Sequence, residues 1–184
     1  MAIRRLCIFD FDETLVRAPG YTDKKAVERL FPEIEFPTPY SFYDHPLSLD
    51  EDIHNIQAIS PVVDDLNDAN KDFSSRTILI THRVPRLSKE VESILESKNL
   101  KFDRTVFLGR ASEKSEILAQ ELRHNPKVEV VAIYEDSFEQ IAKYQDFLDS
   151  KNFEGTLEFY LVDKSKVIKL YSFFRGRSRR ISLL

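Results

Sequence analysis

Apolar residues along this chain fall into two alternating kinds of run. Short β-rich stretches occur at Leu6 to Phe9, Thr77 to Ile80, Thr105 to Leu108 and Val128 to Tyr134, with a fifth at Leu157 to Val162. They are nearly continuous, which suits strands buried on both faces. Between them the apolar positions recur at helical spacing. Ser60 and Pro61 read as the N-cap and first residue of a helix carrying Val62, Val63, Leu66, Ala69 and Phe73 on one face. Pro85 opens a second helix with Leu87, Val91, Ile94 and Leu95, and Ser112 precedes a third with Ile117, Leu118 and Leu122. Ser137 and Gln140 form a capping box ahead of Ile141, Ala142 and Leu148. Such alternation predicts a three-layer, Rossmann-like α/β fold around a central, mainly parallel sheet.

One segment breaks the rhythm. Between Val16 and Ile59 lie five of the eight prolines and six aromatics: Tyr21, Phe31, Phe36, Tyr40, Phe42 and Tyr43. This reads as an insertion or small cap at about residues 16–59, irregular and partly helical near Lys24 to Leu30. Its aromatics either pack a small lobe, the plainer reading, or stack on a nucleic-acid base.

Composition narrows the class. With 184 residues and 42% hydrophobic content, one domain over residues 1–184 is expected. No run approaches the length of a membrane span and no signal-peptide layout is visible, so an intracellular, by default cytoplasmic, protein is expected. The single cysteine, Cys7, lies in the first apolar run and reads as a small core residue. The net charge of -4 is uneven, because residues 164–184 hold seven Lys and Arg and no acid. That basic C-terminal segment either meets nucleic acid or is a solvated end, and Val167, Ile168, Leu170, Tyr171, Phe173 and Phe174 suggest that part of it packs.

Candidate chemistry sits where the strands stop. In doubly wound sheets ligands bind beyond the carboxyl ends of the strands. The first run ends in Asp10 and Asp12, the second in Thr81, His82 and Arg83, and the fourth in Glu135 and Asp136. The third leads through Gly109 to Lys114 at a helix start, with Lys101, Arg104 and Arg110 as nearby alternatives. A lysine there opposes the helix dipole, so something other than helix stability is expected to keep it. Converging carboxylates need a cation between them or must hold protons. Oxygen ligands point to Mg²⁺, with Asp10, Asp12 and Asp136 as ligands and Glu135 behind them. His45, His54 and His124 have no metal-ligand spacing. With a phosphate bound by Thr81, Lys114 and backbone N–H groups at the helix starts, Asp10 is the candidate nucleophile and Asp12 the acid and base.

Taken in order, these residues resemble the four motifs of the haloacid dehalogenase (HAD) phosphohydrolase superfamily. The first is CIFDFDETLV, the second ILIT ending in Thr81, the third Lys114, and the fourth AIYED with Glu135 and Asp136. The stretches ILITHR, SEKSEIL and IYEDSFEQIAKYQDFLD are similar to the HAD domains of the Swiss Army Knife RNA-repair proteins, themselves similar to the phosphatase half of polynucleotide kinase-phosphatase. In that comparison His82 stands where glycine is common, and Arg83 matches a phosphate-binding arginine. The resemblance implies a Mg²⁺-dependent phosphatase working through an aspartyl-phosphate, with a phosphorylated nucleic-acid end as one substrate class and no membrane partner. DETLV is also similar to the first motif of FCP/SCP-type protein phosphatases. That alternative, a small-metabolite phosphatase, and a phosphate- or RNA-binding module without turnover are the competing readings.

Overall fold

The structure is a computed structural model and describes residues 2–110, 112–172 and 181–183. Its central sheet has seven strands in the order β5-β4-β1-β6-β7-β8-β9. These are β1 (Arg5–Phe9), β4 (Ser75–Thr81), β5 (Arg104–Phe107), β6 (Val130–Glu135), β7 (Thr156–Asp163), β8 (Lys166–Ser172) and β9 (Ile181–Leu183). The first five in spatial order run parallel, whereas β8 and β9 are antiparallel additions at one edge. β1 is central because its apolar residues meet neighbours on both sides, Phe9 pairing with Leu79 of β4 and with Tyr134 of β6.

Alternation along β1 splits the core in two. Cys7 and Phe9 face α3 (Ser60–Lys71) and α4 (Ser88–Ser97), meeting Leu66, Val91 and Ile94. Leu6 and Ile8 face α5 (Lys114–His124) and α6 (Phe138–Ser150), meeting Leu118, Ile141 and Leu148. The result is the expected three-layer α/β arrangement. On the first face the rings of Phe9, Tyr134 and Tyr160 stack across adjacent strands at 4.4 and 4.3 Å between centroids. They lie at the same register level, one residue before Asp10 and Glu135. Among the described residues no helix is long and apolar enough to cross a membrane.

Several local expectations are corrected. Ser60 is the first residue of α3 and Ile59 its cap, with no side-chain cap bond. Phe73 does not continue the buried face but is 83% exposed. The helix stops at Asp72, whose carboxylate accepts from Ser74 N and from the Ser74 and Ser75 hydroxyls and so turns the chain into β4. Pro85 opens a 3₁₀ turn, Pro85–Leu87, that leads into α4. Glu113, not Ser112, occupies the α5 cap position. Only half of the Ser137–Gln140 box forms, since Ser137 Oγ accepts from Gln140 N while the glutamine side chain does not return. Part of the basic C-terminal segment is β8, with Leu170 buried in the second core. Phe173, Phe174, Arg175, Arg177, Arg179 and Arg180 lie outside the described residues.

Residues 16–59 leave the core through β2 (Val16–Arg17) and return through β3 (Gln57–Ala58), which pair antiparallel as a two-stranded neck. Between them lie α1 (Lys24–Leu30) and α2 (Pro39–Tyr43), with Thr38 capping α2 through Ser41 N. Val27, Phe36 and Phe42 form a small core of their own, joined by Tyr21, Phe31 and Tyr43. Five of the six aromatics therefore pack the lobe, and Tyr40 does not.

Candidate active site

Four strand ends meet at one cleft. Asp10 follows β1 and its N–H donates to Tyr134 O (3.1 Å), which pins it beside the end of β6. Thr81 ends β4, Glu135 ends β6, and Lys114 begins α5 after the loop from β5. Lys114 Nζ donates to Asp10 Oδ1 (2.6 Å) and Glu135 Oε2 (2.7 Å), although the lysine is only 2% exposed. This ion pair explains a lysine at the unfavourable end of a helix dipole: two carboxylates compensate it. Burial alone would lower the Lys114 pKa, but Asp10 and Glu135 outweigh it and hold the ammonium charged well above the ordinary lysine value. The acids respond in the opposite sense. Burial first, then the charge of Asp12, raises Asp10 against the pull of Lys114. Burial and Asp10 push Glu135 up to about 9.

Asp10, Glu135 and Asp136 each bring a carboxylate oxygen within 4.8 Å of the others. All-oxygen donors with an exposed member suit Mg²⁺, so the residues present fit that ion. This group differs from the expected ligands at two residues, Asp12 and Glu135. The Asp12 carboxylate is absent from this group, because Arg83 Nε donates to both its oxygens (3.1 and 3.0 Å) and Nη2 to Oδ1 (2.6 Å). Glu135, expected behind the ligands, has a carboxylate oxygen in this group and also accepts from Lys114.

Arg83 does more than the sequence suggests. It is 3% exposed, and Nη1 donates to Tyr43 O (2.5 Å) and Ser48 Oγ (3.0 Å) of the lobe. Four of its five N–H groups are thereby engaged, leaving one on Nη2. Thr81, fully buried at the end of β4, accepts at Oγ1 from Arg83 N (3.1 Å). His82 takes no positive φ, and no glycine-only conformation is needed where the resemblance has glycine. Its Nδ1 lies 3.0 Å from Gly109 O, and since a carbonyl only accepts, Nδ1 carries the proton. Gly109 itself adopts φ +61° at the turn that aims the next residue.

Two clefts open from this centre and share Asp12, His82 and Asp136. The inner one, about 330 Å³, is lined by Asp10, Lys114, Glu135, Ser137 and Gln140 as well. An outer one of about 620 Å³ runs to the lobe, past Glu13, Tyr40, Tyr43, Arg83 and Arg110. Glu13 is exposed on that outer wall, away from Lys114. Of the alternatives to Lys114, Arg104 pairs with Glu121 and Arg110 with Asp44. Sequence reasoning missed Gln140 and Tyr144. Gln140 Nε2 and the Tyr144 hydroxyl are buried without partners one turn apart on α6, and Glu135 and Asp10 raise Tyr144 further after burial. Their i, i+4 spacing on a buried face was the available signal.

A family model described as HAD domain family 1 in Swiss Army Knife RNA repair proteins matches residues 58–173. The match includes Thr81, Arg83, Lys114, Glu135 and Asp136 and begins beyond Asp10 and Asp12. Among solved structures, a chain of the Pnkp1/Rnl/Hen1 RNA repair complex is similar at TM-score 0.50 and 17% identity, covering 78% of this chain and 39% of that one. A second structure of the Pnkp1/Rnl/Hen1 complex gives TM-score 0.47 and 16% identity, covering 79% of this chain and 43% of that one. This chain thus spans well under half the length of either, and the first likeness bears on the fold. No curated protein matches it.

Proposed function

Because the chain belongs to HAD domain family 1 of the Swiss Army Knife RNA repair proteins, we propose that it is a Mg²⁺-dependent phosphomonoesterase acting on nucleic-acid ends. The observation that carries this is the buried Asp10–Lys114–Glu135 cluster beside Asp136 and Asp12 at the carboxyl ends of the strands. Asp10 and Asp136 are the residues we assign to hold Mg²⁺, with Glu135 kept on Lys114. The ion, when bound, offsets the charge of the acids and of a phosphate.

Lys114 occupies Asp10 Oδ1, and with no donor to Oδ2 among the described residues we assign Oδ2 as the attacking oxygen. Attack forms the bond from Oδ2 to phosphorus and breaks the bond from phosphorus to the ester oxygen. In this reading the departing oxygen takes its proton from Asp12 in its protonated form, and the carboxylate so produced, the form that pairs with Arg83, takes a proton back from the water that releases phosphate from Asp10. Arg83 holds Asp12 in place for both steps, and its one remaining Nη2 N–H, with the Thr81 O–H and the third Lys114 N–H, binds phosphate oxygens. Residues 1–184 act as one unit in this reading, because Arg83 ties the lobe at 16–59 to the catalytic residues.

The family's description, an HAD domain in RNA repair proteins, and the RNA repair complex that holds the first similar chain support a nucleic-acid end as substrate and protein partners around it. The test is phosphate release from an aryl phosphate with and without Mg²⁺, then from 3′- and 5′-phosphorylated oligonucleotides and a phosphoserine peptide. Metal-independent turnover, or none, defeats the proposal, and preference for the peptide replaces its substrate.

A further inference from the structure

Tyr40 is the aromatic of the lobe that its small core does not use. It stands 59% exposed on the wall of the outer cleft, in the short helix α2. Arg110, from the loop after β5, lies over its ring with the guanidinium carbon 3.8 Å from the centroid. Asp44 orients that arginine through Nη2, and the Asp44 carbonyl is tied in turn to Arg86 Nη2 (3.0 Å). The pair is thus assembled from the lobe and from the core, and braced by a third element.

We propose that Tyr40 under Arg110 is a stacking platform for the base adjoining the scissile phosphate, so that this site selects a nucleoside-bearing leaving group over a base-free alcohol. The proposal rests on the phosphatase reading above and deepens it. Asp12, the group assigned to protonate the departing oxygen, lines the same cleft as Tyr40 and Arg110, so the leaving group lies between them. At about 620 Å³ the cleft falls within the range of about 300–1,000 Å³ that small-ligand sites occupy. A cation on one face of the ring leaves the exposed remainder for a second planar group, and every base has a π-face to offer. Among the described residues, one of the five Arg110 N–H groups meets a protein acceptor, Asp44. The others suit base-edge acceptors or the next phosphate of a strand, which a phosphotyrosine side chain does not supply.

The full chain with Mg²⁺ is assayed on adenosine 3′-phosphate, adenosine 5′-phosphate, base-free ribose 5-phosphate and a phosphotyrosine peptide. The expected result is higher kcat/KM for one adenosine nucleotide than for ribose 5-phosphate. Tyr40→Ala lowers that preference about tenfold, through KM, whereas Tyr40→Phe keeps it and Arg110→Gln weakens it in part. Phe73→Ala, an exposed aromatic at the opposite end of the sheet, leaves the preference as it is. Equal rates with and without the base, a preference that survives Tyr40→Ala, loss in Tyr40→Phe, or preference for the phosphotyrosine peptide each overturn it. If no ester is hydrolysed, the phosphatase reading fails separately. Calorimetry then decides the platform: adenosine 3′-phosphate must bind more tightly than inorganic phosphate, and more weakly to Tyr40→Ala.

Discussion

Two buried clusters of charge hold this fold, and they are built on opposite arithmetic. At Glu121 on α5, a single carboxylate 2% exposed accepts from Arg76 Nε (2.9 Å) and Arg104 Nη1 (2.6 Å), one arginine to each oxygen. At the strand ends, Asp10, Asp12 and Glu135 share Lys114 and Arg83, and a fourth acid, the exposed Asp136, stands beside them. The first cluster is satisfied by the protein alone. The second carries surplus acid, and burial first, then the neighbouring acids, raises Asp10 and Glu135 above the ordinary carboxylate values. Surplus acid in a buried site suits a cation, whereas a carboxylate with an arginine on each oxygen is architecture.

That contrast breaks most readily at Asp10. Asp10→Asn should reduce phosphate release by a factor on the order of 10⁴ or more, while metal-free thermal stability holds or rises because a buried carboxylate is gone. A stability loss instead would show that the cluster is structural. Glu121→Ala should do the reverse: about 3 kcal/mol lower stability by denaturant melts, with turnover per folded molecule intact. Next, Mg²⁺ at about one hundred times its dissociation constant should stabilise the chain by about 2.7 kcal/mol. Asp136→Asn should remove the effect and Glu121→Ala should keep it; equal stabilisation of both variants would place the ion elsewhere.

The smallest effect lies at the sheet edge. Burial alone would raise Glu158, but the hydrogen bond from Lys169 and the charge and bond of Arg5 bring it below its usual value. Its contribution is therefore present above the ordinary glutamate range near 4.5 and is lost as pH falls through the depressed folded value. Acid melts of the wild type and Glu158→Gln should converge below that range and separate above it; parallel curves throughout would remove Glu158 from the account.

Legibility in the sequence followed locality. The five parallel strands could be read because each is a near-continuous apolar run between periodic segments. Strand-end chemistry could be read because chain direction alone delivers Asp10, Thr81, Lys114 and Glu135 to one edge. The partners could not. Arg83 and Asp12 are 71 residues apart, and their pairing depends on how the lobe seats Tyr43 and Ser48 against the guanidinium. Nor does spacing distinguish Tyr40 from the aromatics beside it, since a five-residue helix has too few turns to set a face. Phe73 kept the helical period but not the helix, because the side chain of Asp72 competes with the backbone for Ser74 and Ser75.

The stacked rings of Phe9, Tyr134 and Tyr160 have an optical consequence. The chain has no tryptophan, so its near-ultraviolet chromophores are tyrosine and phenylalanine. Two of its seven tyrosines are stacked with nearly parallel rings, 5° apart, on adjacent strands, and one of them directly precedes Glu135. Near-ultraviolet circular dichroism thus carries a signal from the floor of the cleft, which reports strand register there without any added label.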